Sequence, residues 1–186
     1  SLGYFSKKSE SLLNDLLNVN YSILTKSCTS ALEMCALLLN IKQGDEIIMP
    51  SYTFVSTANA FVMRGGVPVF VDIKENDLNI DLNQIEKKIS KRTKAVVVVH
   101  YAGISCNIEK LKKITKKYNL FLIEDAAQAF LSKYKNKYLG SYGDLSTFSF
   151  HETKNIHCGE GGALIINNKK FIKRAKILRD KGTNRD

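Results

Sequence analysis

Ala95-Val96-Val97-Val98-Val99, then Asn107-Ile108-Glu109-Lys110-Leu111-Lys112-Lys113-Ile114-Thr115-Lys116-Lys117-Tyr118, then Leu120-Phe121-Leu122-Ile123: this stretch decides the fold. The first run is apolar and almost wholly β-branched, the pattern of a parallel strand covered on both faces. In the second, Leu111 and Ile114 recur at helical spacing among lysines, and Asn107 can cap the helix start. The third run returns to an unbroken apolar strand. Strand, helix, strand is the signature of a mostly parallel sheet covered by helices.

The same alternation extends in both directions. Upstream, residues 6–18 read as a helix, Tyr21 to Leu24 as a short strand, and Thr29 to Leu39 as a helix with Leu32, Cys35, Ala36 and Leu39 on one face. Glu46 to Met49 is a strand stopped by Pro50, residues 54–64 a helix ended by Gly65-Gly66, and Val67 to Val71 a strand. Asp81 with Gln84 three residues on resembles a capping box opening a helix through Ile89. Downstream, short strands are expected at 146–150 and 162–166, and a last helix from Lys169 to Arg179. No linker, repeat or low-complexity segment interrupts the series. The expected fold class is α/β, a single three-layer α/β/α domain.

Bulk properties agree with a globular protein. The chain has 186 residues, 44% hydrophobic and 25% charged, enough for one domain with a substantial core. No apolar run approaches the roughly 20 residues of a membrane span. Ser1-Leu2-Gly3-Tyr4-Phe5 lacks the basic-then-apolar pattern of a signal peptide, so a cytoplasmic location without membrane association is expected. Cys28, Cys35, Cys106 and Cys158 form no C-x-x-C pair, which argues against a zinc site or disulfides. The 28 basic against 18 acidic residues give a net charge of +10. Lys110, Lys112, Lys113, Lys116 and Lys117 alternate with Leu111 and Ile114 as a solvated helix face, and no nucleic-acid motif accompanies them. No nucleic-acid partner is therefore expected.

In a parallel sheet, ligands bind where strands end at their carboxyl side. Three segments lie at such places. Thr25-Lys26-Ser27-Cys28-Thr29-Ser30-Ala31 stands at a helix start, where hydroxyls and amides can hold a phosphate. Plain N-capping by Ser27 or Thr29 explains the same residues. Glu124-Asp125-Ala126-Ala127-Gln128 follows the strand ending at Ile123, and two acids there need partners. Asp125 could keep a pyridine nitrogen protonated, or serve as a metal-binding or capping acid. Phe148-Ser149-Phe150-His151-Glu152-Thr153-Lys154-Asn155 precedes Gly159-Glu160-Gly161-Gly162. Lys154 is either a nucleophile, captured by an aldehyde or activated by a lowered pKa, or one more surface charge. The glycines either let backbone pass close to a ligand or turn the chain into the next strand. Neither a G-x-G-x-x-G fingerprint nor a Walker A loop is present.

These segments, with Ser27 to Leu32 and Pro50-Ser51-Tyr52-Thr53-Phe54-Val55-Ser56-Thr57, stand in an order that resembles the DegT-type sugar aminotransferases, of the fold-type I pyridoxal-phosphate (PLP) superfamily. Val99-His100-Tyr101-Ala102-Gly103 and Lys181-Gly182-Thr183-Asn184-Arg185 extend the likeness over nearly the whole chain. The resemblance implies a PLP cofactor and assigns roles. Lys154 matches the Schiff-base lysine that later shuttles the proton, and Asp125 the partner of the pyridine nitrogen. Gln128 matches the residue beside the ring and its phenolic oxygen. Phe54 matches the aromatic over the ring, its other reading being a helical core residue. Thr29, Ser30 and Ser149 match phosphate contacts.

The implied reaction moves an amino group from glutamate to a nucleotide-linked keto-deoxy sugar, with a dTDP-linked 4-keto-6-deoxyhexose for surface polysaccharide as the expected acceptor. The family's dehydratase branch carries histidine in place of this lysine, so Lys154 points to aminotransfer. A PLP-fold dehydratase, regulator or inactive fragment is the alternative, and a basic α/β nucleic-acid-binding module the outlier. Relatives are about twice this length and homodimeric. Residues 1–186 are therefore expected to be part of the PLP-binding large domain, with the C-terminal small domain absent.

Overall fold

The computed structural model describes residues 3–183, so Ser1-Leu2 and the Asn184-Arg185 end of the family resemblance lie outside the described residues. Its elements run α1 (Tyr4–Leu17), β1 (Tyr21–Thr25), α2 (Cys28–Leu38), β2 (Glu46–Pro50), α3 (Val55–Val62), β3 (Val67–Val71), α4 (Leu82–Lys88), β4 (Thr93–Val99), α5 (Ile108–Lys117), β5 (Phe121–Asp125), β6 (Lys133–Tyr134), β7 (Lys137–Tyr138), β8 (Leu145–Ser149), β9 (Gly162–Ile166) and α6 (Ile172–Arg179).

A seven-stranded sheet of order β1-β9-β8-β5-β4-β2-β3 forms the middle layer. Strands β3, β2, β4, β5 and β8 are parallel, while β9 runs antiparallel to both β8 and β1. Alternation along β4 shows why both faces need cover. Ala95 and Val97 point to one side with Leu32, Cys35 and Ala36 of α2, Phe61 of α3 and Ala175 of α6. Val96 and Val98 point to the other with Leu17 of α1, Ile85 of α4 and Leu111 and Ile114 of α5. Each large side chain taken fully from water contributes about 1.5–3 kcal/mol. The three-layer α/β/α architecture thus follows from strands that are apolar on both faces.

Several ends differ from expectation for identifiable reasons. Pro50 does not stop β2 short but ends it, paired opposite Val71. Asp81 caps α4 by accepting from the Asn83 amide at 3.0 Å. Gln84 donates to the Asp81 carboxylate at 3.0 Å rather than returning to its backbone, so the reciprocal half of a capping box is not made. Lys169–Phe171 forms a 3-10 turn, capped by Asn168, before α6 begins. The small β6–β7 hairpin is an addition to the sequence reading.

Candidate active site

The sheet register brings the ends of non-adjacent segments to one edge. Val99 lies opposite Asp125, Asp125 opposite Thr147, and Thr25 and Ser149 both lie opposite Gly162. The loops leaving these strands enclose a cavity of about 580 Å³. Six of the seven residues singled out from sequence line it: Thr29, Phe54, Asp125, Gln128, Ser149 and Lys154. Ser30 does not. Its amide donates to the Ser27 hydroxyl at 3.2 Å, making Ser27 the N-cap of α2 and turning Ser30 into the capping turn. Capping and cavity lining therefore divide one short segment between them.

Asp125 ends β5 at 4% exposure. Its Oδ2 accepts from the Thr57 hydroxyl at 2.8 Å and its Oδ1 from the Ala127 amide at 3.2 Å. Because Thr57 gives its proton to Asp125, it must accept the proton of Thr53, 2.7 Å away. Burial pushes the Asp125 carboxyl above its ordinary value, against the pull of these two donors and of the His100 and Lys154 charges. A cation facing this carboxylate would relieve that strain.

At the next edge of the cavity, α2 begins. The first-turn amides of Cys28 and Thr29 have no carbonyl four residues back inside the helix, and the helix dipole adds to their pull on an anion. The Thr29 and Ser56 hydroxyls pair at 2.8 Å. Ser149 accepts weakly from the His151 amide at 3.4 Å, which leaves its own proton to donate. Gly162 is needed where β9 passes under this turn, since a Cβ there would stand 2.4 Å from the Ser27 carbonyl carbon.

Lys154 lies on the irregular loop between β8 and β9, partly buried, its amide donating to the His151 carbonyl at 2.9 Å. Its charge acts on both Asp125 and Cys28. Gln128 Oε1 accepts from the Ala102 amide at 2.8 Å. That contact fixes the amide's orientation, because an N–H can face only the oxygen, and leaves Nε2 as the free donor. Phe54 is the N-cap of α3 and is 72% exposed, so it is a rim residue and not a helical core residue. Tyr52 and Tyr101, which the sequence reading passed over, also line the cavity, with hydroxyls 3.2 Å and ring centroids 5.1 Å apart.

Two neighbours have structural work. Glu124 points away from the cavity into full burial and accepts from His100 Nε2 at 2.8 Å, from the amides of Gly140, Tyr142 and Gly143 at 2.8, 2.7 and 2.6 Å, and from the Ser146 hydroxyl at 3.2 Å. Burial alone would raise its carboxyl, but His100 and the amides outweigh that and hold it below the ordinary value. Cys28 lines the cavity with its thiol pushed up by burial and by Asp125, so it stays protonated and is no nucleophile. Among the described residues no cluster of three or more His, Cys, Asp or Glu is placed to hold a metal.

The donor set matches one small molecule part by part. A buried carboxylate suits a ring N–H, a free amide N–H a phenolic oxygen, and an aromatic rim a ring face. Hydroxyls at a helix start suit a phosphate, and a primary amine an aldehyde. Pyridoxal phosphate carries all of these groups.

Residues 1–186 match the DegT/DnrJ/EryC1/StrS aminotransferase family. The chain is 39% identical over 182 residues to the GDP-perosamine synthase of Escherichia coli O157:H7, covering 98% of this chain and 50% of that protein. Helicobacter pylori PseC, an aminotransferase involved in pseudaminic acid biosynthesis, superimposes with a TM-score of 0.91 at 38% identity, covering 100% of this chain and 51% of PseC. Spr1654 from Streptococcus pneumoniae, assigned as a sugar aminotransferase and solved in its PLP form, superimposes with a TM-score of 0.88 at 29% identity, covering 96% of this chain and 51% of that one. The chain spans about half the length of the curated relatives it matches.

Proposed function

This chain belongs to the DegT/DnrJ/EryC1/StrS aminotransferase family, and from that membership we propose that it is the PLP-binding part of an enzyme that transfers an amino group from glutamate to a nucleotide-linked keto-deoxy sugar. The observation that carries the proposal is the meeting of Lys154 and buried Asp125 in one cavity with Thr29, Ser149, Gln128 and Phe54.

PLP, when bound, supplies an aldehyde that captures amines and a protonated ring that takes up electrons when a Cα–H bond breaks. The chain's residues then have distinct tasks. Asp125, held by Thr57 and Ala127, keeps the proton on the ring nitrogen. Gln128 Nε2 donates to the phenolic oxygen, and Phe54 covers one ring face. Thr29 and Ser149 donate to the phosphate, with the α2 amides behind them. Lys154 Nζ would serve twice: at rest it would hold the cofactor through its aldehyde carbon, and once displaced it would act as the base that takes the substrate Cα proton and delivers it to that former aldehyde carbon.

The acceptor we propose is a dTDP-linked 4-keto-6-deoxyhexose destined for surface polysaccharide, made in the cytoplasm. Support for the sugar class comes from relatives that make GDP-perosamine and take part in pseudaminic acid synthesis. The working unit we propose is a homodimer. Val62, Met63, Val67 and Phe70, at the end of α3 and along edge strand β3, are all exposed apolar residues suited to a partner copy. The test is a panel of dTDP- and GDP-linked keto sugars offered with glutamate to the whole enzyme of which this chain is the PLP-binding part. Amination of the dTDP-4-keto-6-deoxyhexose with release of 2-oxoglutarate is expected. Amination of only GDP-linked sugars would overturn the nucleotide, and no amination of any would overturn the activity.

A further inference from the structure

Residues 150–161, which carry Lys154, form turns and bends rather than a regular element. Backbone bonds close the base of this loop: Phe150 donates to Gly161 at 2.8 Å, Glu152 to Gly159 at 2.8 Å and Cys158 to Phe150 at 3.0 Å. Across the loop lies one imidazole. His151 Nδ1 is 3.2 Å from the Thr153 amide nitrogen and 2.9 Å from the Thr153 hydroxyl, and Nε2 is 3.3 Å from Glu160 Oε1. His151, Thr153, Lys154 and Glu160 all line the cavity.

We propose that His151 is a positioning residue for Lys154, clamped between Thr153 and Glu160 so that the lysine's turn keeps its place over the cavity. The tautomer follows from the donors. A backbone N–H can only donate, so Nδ1 must be the acceptor and Nε2 must carry the hydrogen that faces Glu160. Glu160 thus fixes the one tautomer that can receive Thr153, the residue just before Lys154. Stability does not explain the arrangement. His151 and Glu160 are 39% and 70% exposed at their side chains, and such pairs contribute little to folding. Position does explain it. Lysine's four-carbon stem is flexible, and its amine must leave and return to the same point each cycle. A misplacement of about 1 Å at such a group can slow a reaction about 100-fold.

The inference rests on the aminotransferase reading, so part of the test needs no cofactor. In the cofactor-free protein, long-range proton–nitrogen NMR should show His151 with hydrogen on Nε2 and a bare Nδ1. Amide exchange at Thr153 should quicken by about tenfold or more in His151→Phe. With PLP, His151→Phe should capture the aldehyde about tenfold more slowly and turn over glutamate with kcat about tenfold lower at unchanged KM. His151→Asn, which keeps an oxygen near the Nδ1 position, should recover both to within about threefold. A hydrogen found on Nδ1, unchanged Thr153 exchange, a loss confined to KM, or His151→Asn no better than His151→Phe would each overturn the proposal. Should His151→Phe fail to fold, the wild-type tautomer and the behaviour of His151→Asn still decide it. A wild-type protein that never captures PLP would overturn the aminotransferase reading instead, while the tautomer and exchange results continue to judge the clamp.

Discussion

Asp125 shows how one side chain can be unfavourable for the fold and yet suited to the proposed chemistry. Burial raises its carboxyl above the ordinary value. Without cofactor, the folded chain therefore holds this proton more tightly than the unfolded chain. Its contribution is full below the unfolded value of about 3.9 and declines as pH climbs through the folded value. Asp125→Asn, which removes the buried charge and keeps an oxygen for Thr57 while losing the weaker 3.2 Å bond from the Ala127 amide, should still make the cofactor-free protein more stable at neutral pH by about 1 kcal/mol, a Tm rise of about 2–4 °C. The same variant should lose about 100-fold or more in glutamate half-reaction rate, because a neutral amide cannot hold the ring proton. A less stable variant, or one with normal turnover, would refute this account of the residue. The place of Lys154 and Asp125 at one cavity was legible because each follows a strand in an ordered set of motifs. Thr57, His100 and Glu160 were not. Thr57 reaches Asp125 across 68 positions of sequence, and only the folded sheet makes them neighbours.

At the scale of elements, three of the five donors gathered on Glu124, the amides of Gly140, Tyr142 and Gly143, fasten the loop before β8 to the end of β5, while His100 ties in the end of β4 and Ser146 β8 itself. The lowered carboxyl works in the opposite sense to Asp125. Its stabilisation is present above the unfolded value of about 4.3 and is lost as pH falls through the lower folded value. Glu124→Gln puts an NH2 group among amide donors. It should destabilise the fold by about 3 kcal/mol, read as a urea midpoint lower by about 1–2 M. It should also weaken the dependence of stability on pH in the acid range. A midpoint unchanged from wild type would contradict the knot. The two acids at the end of β5 announced that partners were needed, yet nothing in the local pattern told the structural acid from the one facing the cavity. The longer strands and helices were readable from apolar periodicity. The β6–β7 hairpin was not, because strands two residues long carry no period to read. The direction of β9 was equally hidden, since an apolar run has no sign.

For the whole molecule, seven strands with helices on both sides gather the loop residues at one edge, where the sheet supports them rigidly. The alternation of apolar runs was enough to foresee the three layers, and the order of motifs the edge on which they meet. The face proposed for a partner copy was not readable, because Val62, Met63, Val67 and Phe70 look like core residues until the edge strand is known. Met63→Asp should shift the protein from dimer towards monomer in sedimentation velocity, with its fold unchanged by circular dichroism. A dimer of wild-type affinity would place the interface elsewhere. The most direct test of the central claim is to incubate the purified protein with PLP, reduce with borohydride, and map the modified peptide by mass spectrometry. The account predicts visible absorbance that borohydride shifts, one phosphopyridoxyl group on Lys154, and neither in Lys154→Ala. Label on other lysines only, or a wild-type protein that gains no absorbance, would contradict it.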